Sequence, residues 1–234
     1  MSLILLIDTA LEKAFAGISM AEHLLLVKEN EKQNEHAAFI QPAIRETLQQ
    51  LNYHVNDIDA VGINIGPGSY TGLRVGMATA KGLCYALNKP LVAASTLELL
   101  TSAAIEKFSG FDLYCPMIDA RREEVYTGLF DKDLNIVNAP QALILNGQSF
   151  AQELQKKKIL FFGNGASKLG KFLPTNGNAY LEKVDYNATH LAKMLFNRFK
   201  SRQFLDLAYA EPFYIKGFHF TNPSKKLPNT NFII

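Results

Sequence analysis

The segment from Gly66 to Gly76 has the residue types and spacing of an anion-binding turn. It follows an apolar run at residues 60–65 and opens a helical pattern, so we predict a strand, a tight loop and a helix start. Backbone N–H groups at the start of a helix can bind a phosphate or a carboxylate. We therefore expect Gly66, Gly68 and Ser69 to lie at such a site.

The sequence of the same loop does not match two familiar nucleotide-binding motifs. A P-loop ends in Gly-Lys-Ser or Gly-Lys-Thr, whereas Leu73 and Arg74 follow Gly72, so no lysine reaches a terminal phosphate. The dinucleotide motif Gly-x-Gly-x-x-Gly has one residue fewer between its last two glycines than Gly68 and Gly72 have. Walker-type hydrolysis and Rossmann-type binding are therefore both poor interpretations.

Two predicted helices carry stripes suited to close packing. On the helix at residues 70–87, Gly72, Gly76 and Ala80 recur every four positions, so another element can approach closely. The helix at residues 35–51 has Pro42 inside it and a wide apolar seam. That seam includes Ala37, Ile40, Ile44 and Leu48. The pattern alone leaves open whether these stripes face this chain's own core or a partner.

An internal repeat indicates which elements must position the loop. Residues 7–17 align with residues 118–128 at a constant offset, and each copy predicts a strand that ends in an aspartate, a polar turn and a returning strand. The two aspartates are Asp8 and Asp119. A weaker echo relates residues 65–68, which follow one predicted strand, to residues 162–165, which follow the equivalent run at 158–161. The chain is thus predicted to contain two halves built on one plan.

The remaining elements are predicted from hydrophobic periodicity. Further strands are expected near residues 23–27, 60–65, 113–118, 125–130 and 142–145, and helices near 35–51, 70–87, 148–156 and 188–200. Duplicated βββαβα halves of this kind resemble the α/β fold of actin-like proteins, sugar kinases and the Hsp70 ATPase, where nucleotide lies between the lobes. We expect an N-terminal lobe at 1–109, a C-terminal lobe at 110–215 and a poorly ordered tail at 216–234.

Several segments together resemble the bacterial TsaB (YeaZ) family. They are Ile7-Asp8-Thr9, the loop from Gly66 to Gly76, Asn88-Lys89-Pro90-Leu91-Val92 and Ile118-Asp119-Ala120-Arg121. The likeness covers about residues 1–130, and beyond it Glu211-Pro212-Phe213-Tyr214 is similar to the family's closing Pro-x-Tyr. The resemblance implies a role in making threonylcarbamoyladenosine beside the anticodon of tRNAs that read ANN codons, with a catalytic paralogue, TsaD, and an ATPase, TsaE.

The same resemblance implies that this chain is a non-catalytic subunit. The paralogue holds a metal through a His-x-x-x-His pair just after a segment like Lys89-Pro90-Leu91-Val92, and here those positions are Thr96 and Leu100. A hydroxyl and an aliphatic side chain cannot replace two imidazole ligands. We therefore predict no catalytic residue and no metal site.

The resemblance also implies binding roles for the motif residues. Asp8, Thr9 and Asp119 would make the metal-water and phosphate contacts of a nucleotide site, either working or vestigial. We expect no tightly bound cofactor in this chain, and weak binding of ATP or ADP with magnesium at most, stronger within the complex.

The resemblance favours the partner interpretation of the two helical stripes. In the family the equivalent helices form a bundle with those of a partner, which implies a homodimer when the chain is alone. Interface residues would then be Ala37, Ile40, Ile44, Leu48, Gly72, Gly76 and Ala80. The tRNA would be reached indirectly, through the complex.

Composition sets broader limits. A chain of 234 residues with 48% hydrophobic content can bury a sizeable core, and a net charge of +2 gives no strong general attraction to nucleic acid or membrane. Cys84 and Cys115 suit reduced core thiols. The apolar run at residues 3–7 is too short for a signal peptide or a membrane span, so we expect a cytoplasmic protein without a membrane partner.

Two functions from other classes stay open. A peptidase is one, because related proteins have carried a glycoprotease label. However, neither a Gly-x-Ser-x-Gly nor a His-Glu-x-x-His motif is present, and Ser69 has no recognisable base partner in the sequence. The other is an ATP-dependent small-molecule kinase of the same fold, which would depend on Asp8.

Overall fold

The computed structural model describes residues 2–32, 35–173 and 177–216. In these residues, ten strands form two five-stranded sheets, and five α-helices pack around them. The strands are β1 (Leu3–Asp8), β2 (Ala14–Met20), β3 (His23–Asn30), β4 (Ala60–Asn64), β5 (Leu91–Ala94), β6 (Leu113–Asp119), β7 (Glu124–Phe130), β8 (Ile136–Ile144), β9 (Ile159–Phe162) and β10 (Ala179–Leu181). The helices are α1 (His36–Gln50), α2 (Tyr70–Leu87), α3 (Thr96–Lys107), α4 (Ala151–Leu154) and α5 (Ala188–Lys200).

The two sheets repeat one topology, which confirms the predicted duplication. The first sheet has the order β3-β2-β1-β4-β5, and the second has the equivalent order β8-β7-β6-β9-β10. In each sheet the first three strands are antiparallel and the last two run parallel to the first. Each half therefore contains a fifth strand that the predicted βββαβα order lacked.

Local signals fix some helix ends well. The Ser69 hydroxyl accepts the Gly72 N–H at the start of α2, and Asn88 ends that helix with a left-handed φ of 52°. Asn187 caps α5 by accepting the N–H groups of Thr189 and His190. The predicted ranges of both helices, 70–87 and 188–200, are confirmed.

Other predicted elements differ from the structure. The helix predicted at 148–156 is reduced to the four residues of α4. Strand β8 begins at Ile136, six residues before the predicted start, because it is an edge strand that tolerates Pro140. The sequence analysis missed β5, α3 and β10 entirely.

Helices α3 and α5 each cover the sheet of the other half. Leu97 and Leu100 of α3 pack in the core of the second sheet with Phe162. Leu191 and Leu195 of α5 pack in a core of the first sheet, although we assigned α5 to the C-terminal lobe. The predicted division at residues 109 and 110 thus separates the two sheets but not the helices that cover them.

The last described segment returns to the first sheet. The Leu205 N–H donates to the Leu91 carbonyl at 2.9 Å, and the Phe213 N–H donates to the Ile65 carbonyl at 2.8 Å. Arg74 Nε then donates to the Tyr214 hydroxyl at 3.3 Å, which seats the family-like closing motif at the start of α2. Beyond residue 216, the predicted tail lies outside the described residues.

The described part of the chain contains no candidate for a membrane-spanning helix. None of its helices combines the length and apolar character needed to cross a bilayer.

Candidate functional site

The predicted anion loop is built against the β1–β2 turn. A Cβ on Gly68 would lie 2.0 Å from the Ala10 carbonyl oxygen, and a Cβ on Gly72 would lie 2.0 Å from the Thr9 carbonyl oxygen. Gly66 has a φ of 103°, which favours glycine. The glycines are therefore required by close backbone contact within the chain.

Several N–H groups of this loop already have acceptors inside the chain. The Ser69 N–H donates to the Ala10 carbonyl at 2.6 Å, and the Gly66 N–H donates to Asn64 Oδ1 at 3.0 Å. The Gly72 N–H donates to Ser69 Oγ, and the Leu73 N–H to the Ser69 carbonyl. These four donors serve a tight turn rather than an incoming anion, and Ser69 acts as a helix cap.

Asp8 lies at the end of β1 in a closed network of polar groups. Its Oδ1 accepts the Ala10 N–H at 2.9 Å, and its Oδ2 accepts hydrogen bonds from Asn64 Nδ2 and the Tyr186 hydroxyl, both at 2.8 Å. The side chain is 0% exposed. Tyr186, which precedes α5, thus covers the carboxylate for which the family resemblance implied a metal-water contact.

Burial dominates the protonation of this carboxyl group. It raises the pKa of Asp8 from 3.8 to about 6, against the hydrogen bonds from Ala10, Asn64 and Tyr186 that lower it. Burial also raises the pKa of Tyr186, and the Asp8 charge adds to that effect. Thr9, beside Asp8, is buried and donates to the Gly72 carbonyl at 2.7 Å.

Asp119 lies at the equivalent point of the second sheet but in a different environment. Its side chain is 45% exposed, and its Oδ1 accepts from Lys168 Nζ at 2.7 Å and from the Arg121 N–H. Partial burial raises the pKa of Asp119, but the hydrogen bonds from Lys168 and Arg121 outweigh it and hold the pKa below 3.8. A lysine therefore already neutralises this carboxylate.

The side chains present do not fit a magnesium-nucleotide site. Asp8 is enclosed by protein donors, and Asp119 is paired with Lys168. The positions at which the family resemblance implies the paralogue's histidine pair also hold no imidazole. Thr96 donates its hydroxyl to Asn64 Oδ1 at 3.0 Å, and Leu100 is buried in the second core.

Six of the seven residues in the predicted interface are buried within this chain. Ile40, Ile44, Leu48 and Ala80 belong to a core of the first sheet. A Cβ on Gly76 would lie 2.4 Å from Thr9 Oγ1. The glycine stripe therefore lets α2 approach β1 and its turn, and of the predicted interface residues only Ala37 is exposed. The interface itself stays a prediction.

The opposite faces of α1 and α2 are the ones that meet solvent. They present Ala37, Ala38, Gln41, Ala78, Gly82 and Tyr85. Tyr85 is 84% exposed, and nothing lies within 4 Å of a Cβ built on Gly82. Gln41 Nε2 donates to Thr79 Oγ1 at 3.3 Å, so the two helices form one continuous surface, here called the α1–α2 face. Ala78, Gly82 and Ala86 repeat at four-residue spacing, a signal the sequence analysis did not use.

Other polar features lie apart from the predicted site. An open cavity of about 560 Å³ is lined by residues of α3, of the segment before α5 and by His190, and it contains no predicted site residue. Among the residues that the structure describes, no group of three or more His, Cys, Asp or Glu side chains is placed to hold a metal ion.

A family model described as TsaD: tRNA N6-adenosine threonylcarbamoyltransferase matches residues 27–193. The Bacillus subtilis protein named tRNA threonylcarbamoyladenosine biosynthesis protein TsaB is 32% identical over 151 residues, which are 63% of this chain and 62% of that protein. The chain therefore spans less than two thirds of that relative's length.

Two solved structures have the same fold. YeaZ from Pseudomonas aeruginosa has a TM-score of 0.74 at 22% identity and covers 92% of this chain and 100% of its own. The Lmo2764 protein from Listeria monocytogenes, described as a candidate N-acetylmannosamine kinase, has a TM-score of 0.51 at 10% identity and covers 86% and 99%. The predicted fold class is confirmed.

Proposed function

Because this chain belongs to the TsaD threonylcarbamoyltransferase family, we propose that it is a subunit of the TsaB (YeaZ) type, non-catalytic, for threonylcarbamoyl transfer to tRNA. In this role it binds and supports the catalytic paralogue, TsaD, beside the ATPase TsaE. The tRNA is modified at the adenosine next to the anticodon.

The side chains at residues 96 and 100 carry the proposal. The Thr96 hydroxyl donates a hydrogen bond to Asn64, and Leu100 is a core residue. Neither therefore supplies a metal ligand where the catalytic paralogue is expected to have histidines. Asp8 is likewise closed off by Tyr186 and Asn64. This supports a subunit that contributes structure and surfaces rather than reacting groups.

The experiment is reconstitution of threonylcarbamoyladenosine synthesis. The catalytic paralogue, the ATPase, tRNA, ATP and threonylcarbamoyl-adenylate are combined with and without this chain. We expect product only when the chain is present, and expect Asp119→Asn to retain activity because no step depends on that carboxylate. Full product without the chain would refute the proposal.

The partner docks on the α1–α2 face in this proposal. The face is built mainly of small residues, with Gln41 among them, and has Tyr85 as an exposed aromatic anchor. Gly82→Arg fills open space on it, so we expect partner affinity to fall by at least about tenfold while the fold is retained. Gly170→Arg, at an exposed glycine of the second lobe, is the control and should bind normally.

In the absence of the paralogue, a second copy of the chain occupies the same face. Sedimentation should then give a dimer for the wild type and a monomer for Gly82→Arg. A dimer of unchanged affinity in that variant would place the contact elsewhere.

Nucleotide binding by this chain alone is proposed to be weak at best. The committed N–H groups of the loop and the closed Asp8 support this expectation. Calorimetry with ATP and magnesium tests it, and micromolar affinity in the isolated chain would contradict it. We place the protein in the cytoplasm, where the tRNA and ATP of the proposed reaction are found.

A further inference from the structure

The tip of the β6–β7 hairpin holds two consecutive arginines in an unfavourable backbone conformation. Arg121 has a φ of 70° and Arg122 a φ of 49°, and asparagine and glycine are the residues that favour such values. Both side chains are exposed, so no burial compensates for this conformation. Strained backbone conformations of this kind cluster at ligand-binding sites and switch regions.

The charges around this tip are matched except for the two arginines. Lys168 pairs with Asp119 at 2.7 Å, Lys171 with Glu123 at 3.6 Å and Lys216 with Glu124 at 2.6 Å. Within residues 2–32, 35–173 and 177–216, the side chains of Arg121 and Arg122 form no ion pair or hydrogen bond. Three carboxylates are thus each matched by a lysine, and the tip keeps a net charge of +2.

We propose that Arg121 and Arg122 bind the phosphate backbone of the RNA substrate. The inference rests on the proposed function, because it identifies this chain as a contact to the tRNA itself rather than only through its partner. Guanidinium groups bind phosphate oxygens with paired hydrogen bonds, and such contacts position an RNA without reading its sequence.

The composition of the tip favours RNA over an acidic protein. Residues 120–124 are Ala-Arg-Arg-Glu-Glu and include no large apolar side chain. A protein interface requires a buried apolar or aromatic centre, whereas phosphate contacts require only positioned charge.

The test removes the charges while keeping the turn. Arg121→Asn with Arg122→Gly replaces the pair with residues that adopt this backbone readily, so the fold should be retained. Binding of tRNA to the complete complex is measured by fluorescence anisotropy over a range of salt concentrations. We expect affinity to fall at least about tenfold, and the slope of log K against log salt to become shallower by about 1.4 to 1.8.

Two further variants serve as controls. Arg121→Lys with Arg122→Lys retains the charge and should retain the salt slope. Arg202→Asn removes another exposed arginine with a left-handed φ of 54°, and it should leave tRNA binding unchanged.

Each other outcome would overturn the inference. Equal affinity and slope in the Asn-Gly variant would show that the arginines do not touch RNA. Lost binding of the paralogue or the ATPase, with unchanged RNA affinity, would make the tip a protein contact. Failure of the proposed function is a separate result. It would appear as product made by the complex without this chain, and it needs no arginine variant to be seen.

Discussion

The hydroxyl of Tyr186 donates to Oδ2 of Asp8 at 2.8 Å, although the two residues lie 178 positions apart. Asn64 donates to the same oxygen, also at 2.8 Å. The segment before α5 is thereby joined to the end of β1 through a buried carboxyl group. This contact gives the stability of the protein a specific dependence on pH.

Between about pH 4 and pH 6, we expect the folded protein to become less stable as pH rises, because Asp8 ionises more readily in the unfolded chain than in the folded one. Its pKa is about 6 in the folded protein and 3.8 as an ordinary value, so the folded state holds the proton more tightly. The free energy of unfolding should therefore fall by about 3 kcal/mol as pH rises through this window, and this contribution should be constant above it. Urea unfolding of wild type and Asp8→Asn checks this. Parallel pH profiles for the two proteins would contradict it.

Gly72→Ala and Gly82→Ala form a matched pair on one helix. The new methyl group would lie 2.0 Å from a backbone oxygen at Gly72 but meets nothing within 4 Å at Gly82. We expect the first change to lower the free energy of unfolding by more than about 3 kcal/mol, and the second to raise it by about 0.5–1 kcal/mol through helix propensity. Denaturant unfolding of both variants measures this. Equal stability would mean that α2 does not pack as described.

Gly62 of β4 and Leu195 of α5 should be energetically coupled. A Cβ on Gly62 would lie 2.2 Å from Leu195 Cδ1, so Gly62→Ala should cost about 1–3 kcal/mol. Leu195→Ala should cost about 2–5 kcal/mol, but it also makes room for the new methyl group. In a double-mutant cycle, the double variant should lose less than the two single losses together. Strict additivity would argue against this contact.

Arg198 should stabilise the junction of α5 with α3 and β5. It donates to Glu98 Oε1 and to the Ala93 carbonyl, and its side chain is 26% exposed. We expect Arg198→Ala to lower the free energy of unfolding by about 2 kcal/mol, because Glu98 loses a charged partner. Arg45→Ala, at an exposed position of α1, should change it by less than about 0.5 kcal/mol. Thermal and denaturant unfolding would show the difference.

Local sequence signals predicted the parts of the fold that depend on local chemistry. Hydrophobic periodicity predicted α2 and α5, and their starts agree with the structure because Ser69 and Asn187 cap them with their own side chains. Helix α3 was missed because it lies between the sheets. Leu99 packs in one core while Leu97 and Leu100 pack in another, so the helix has no clean polar face to reveal its period.

The candidate site was harder to predict for a related reason. The four-residue spacing of Gly72 and Gly76 indicated close packing but could not say against what, and the structure gives Thr9 as the neighbour of both. The closure of Asp8 by Tyr186 depends on residues far apart in the chain, which no local pattern encodes.

The exchange of α3 and α5 between the sheets bears on how the protein is made at the ribosome. The first sheet is complete in sequence at Ala94, but the helix that covers one of its faces ends only at Lys200. During translation at about 5–20 residues per second, that apolar face stays exposed for several seconds before α5 is synthesised. A nascent chain stalled before α5 is therefore a natural client for chaperones, and its two halves cannot finish folding one after the other.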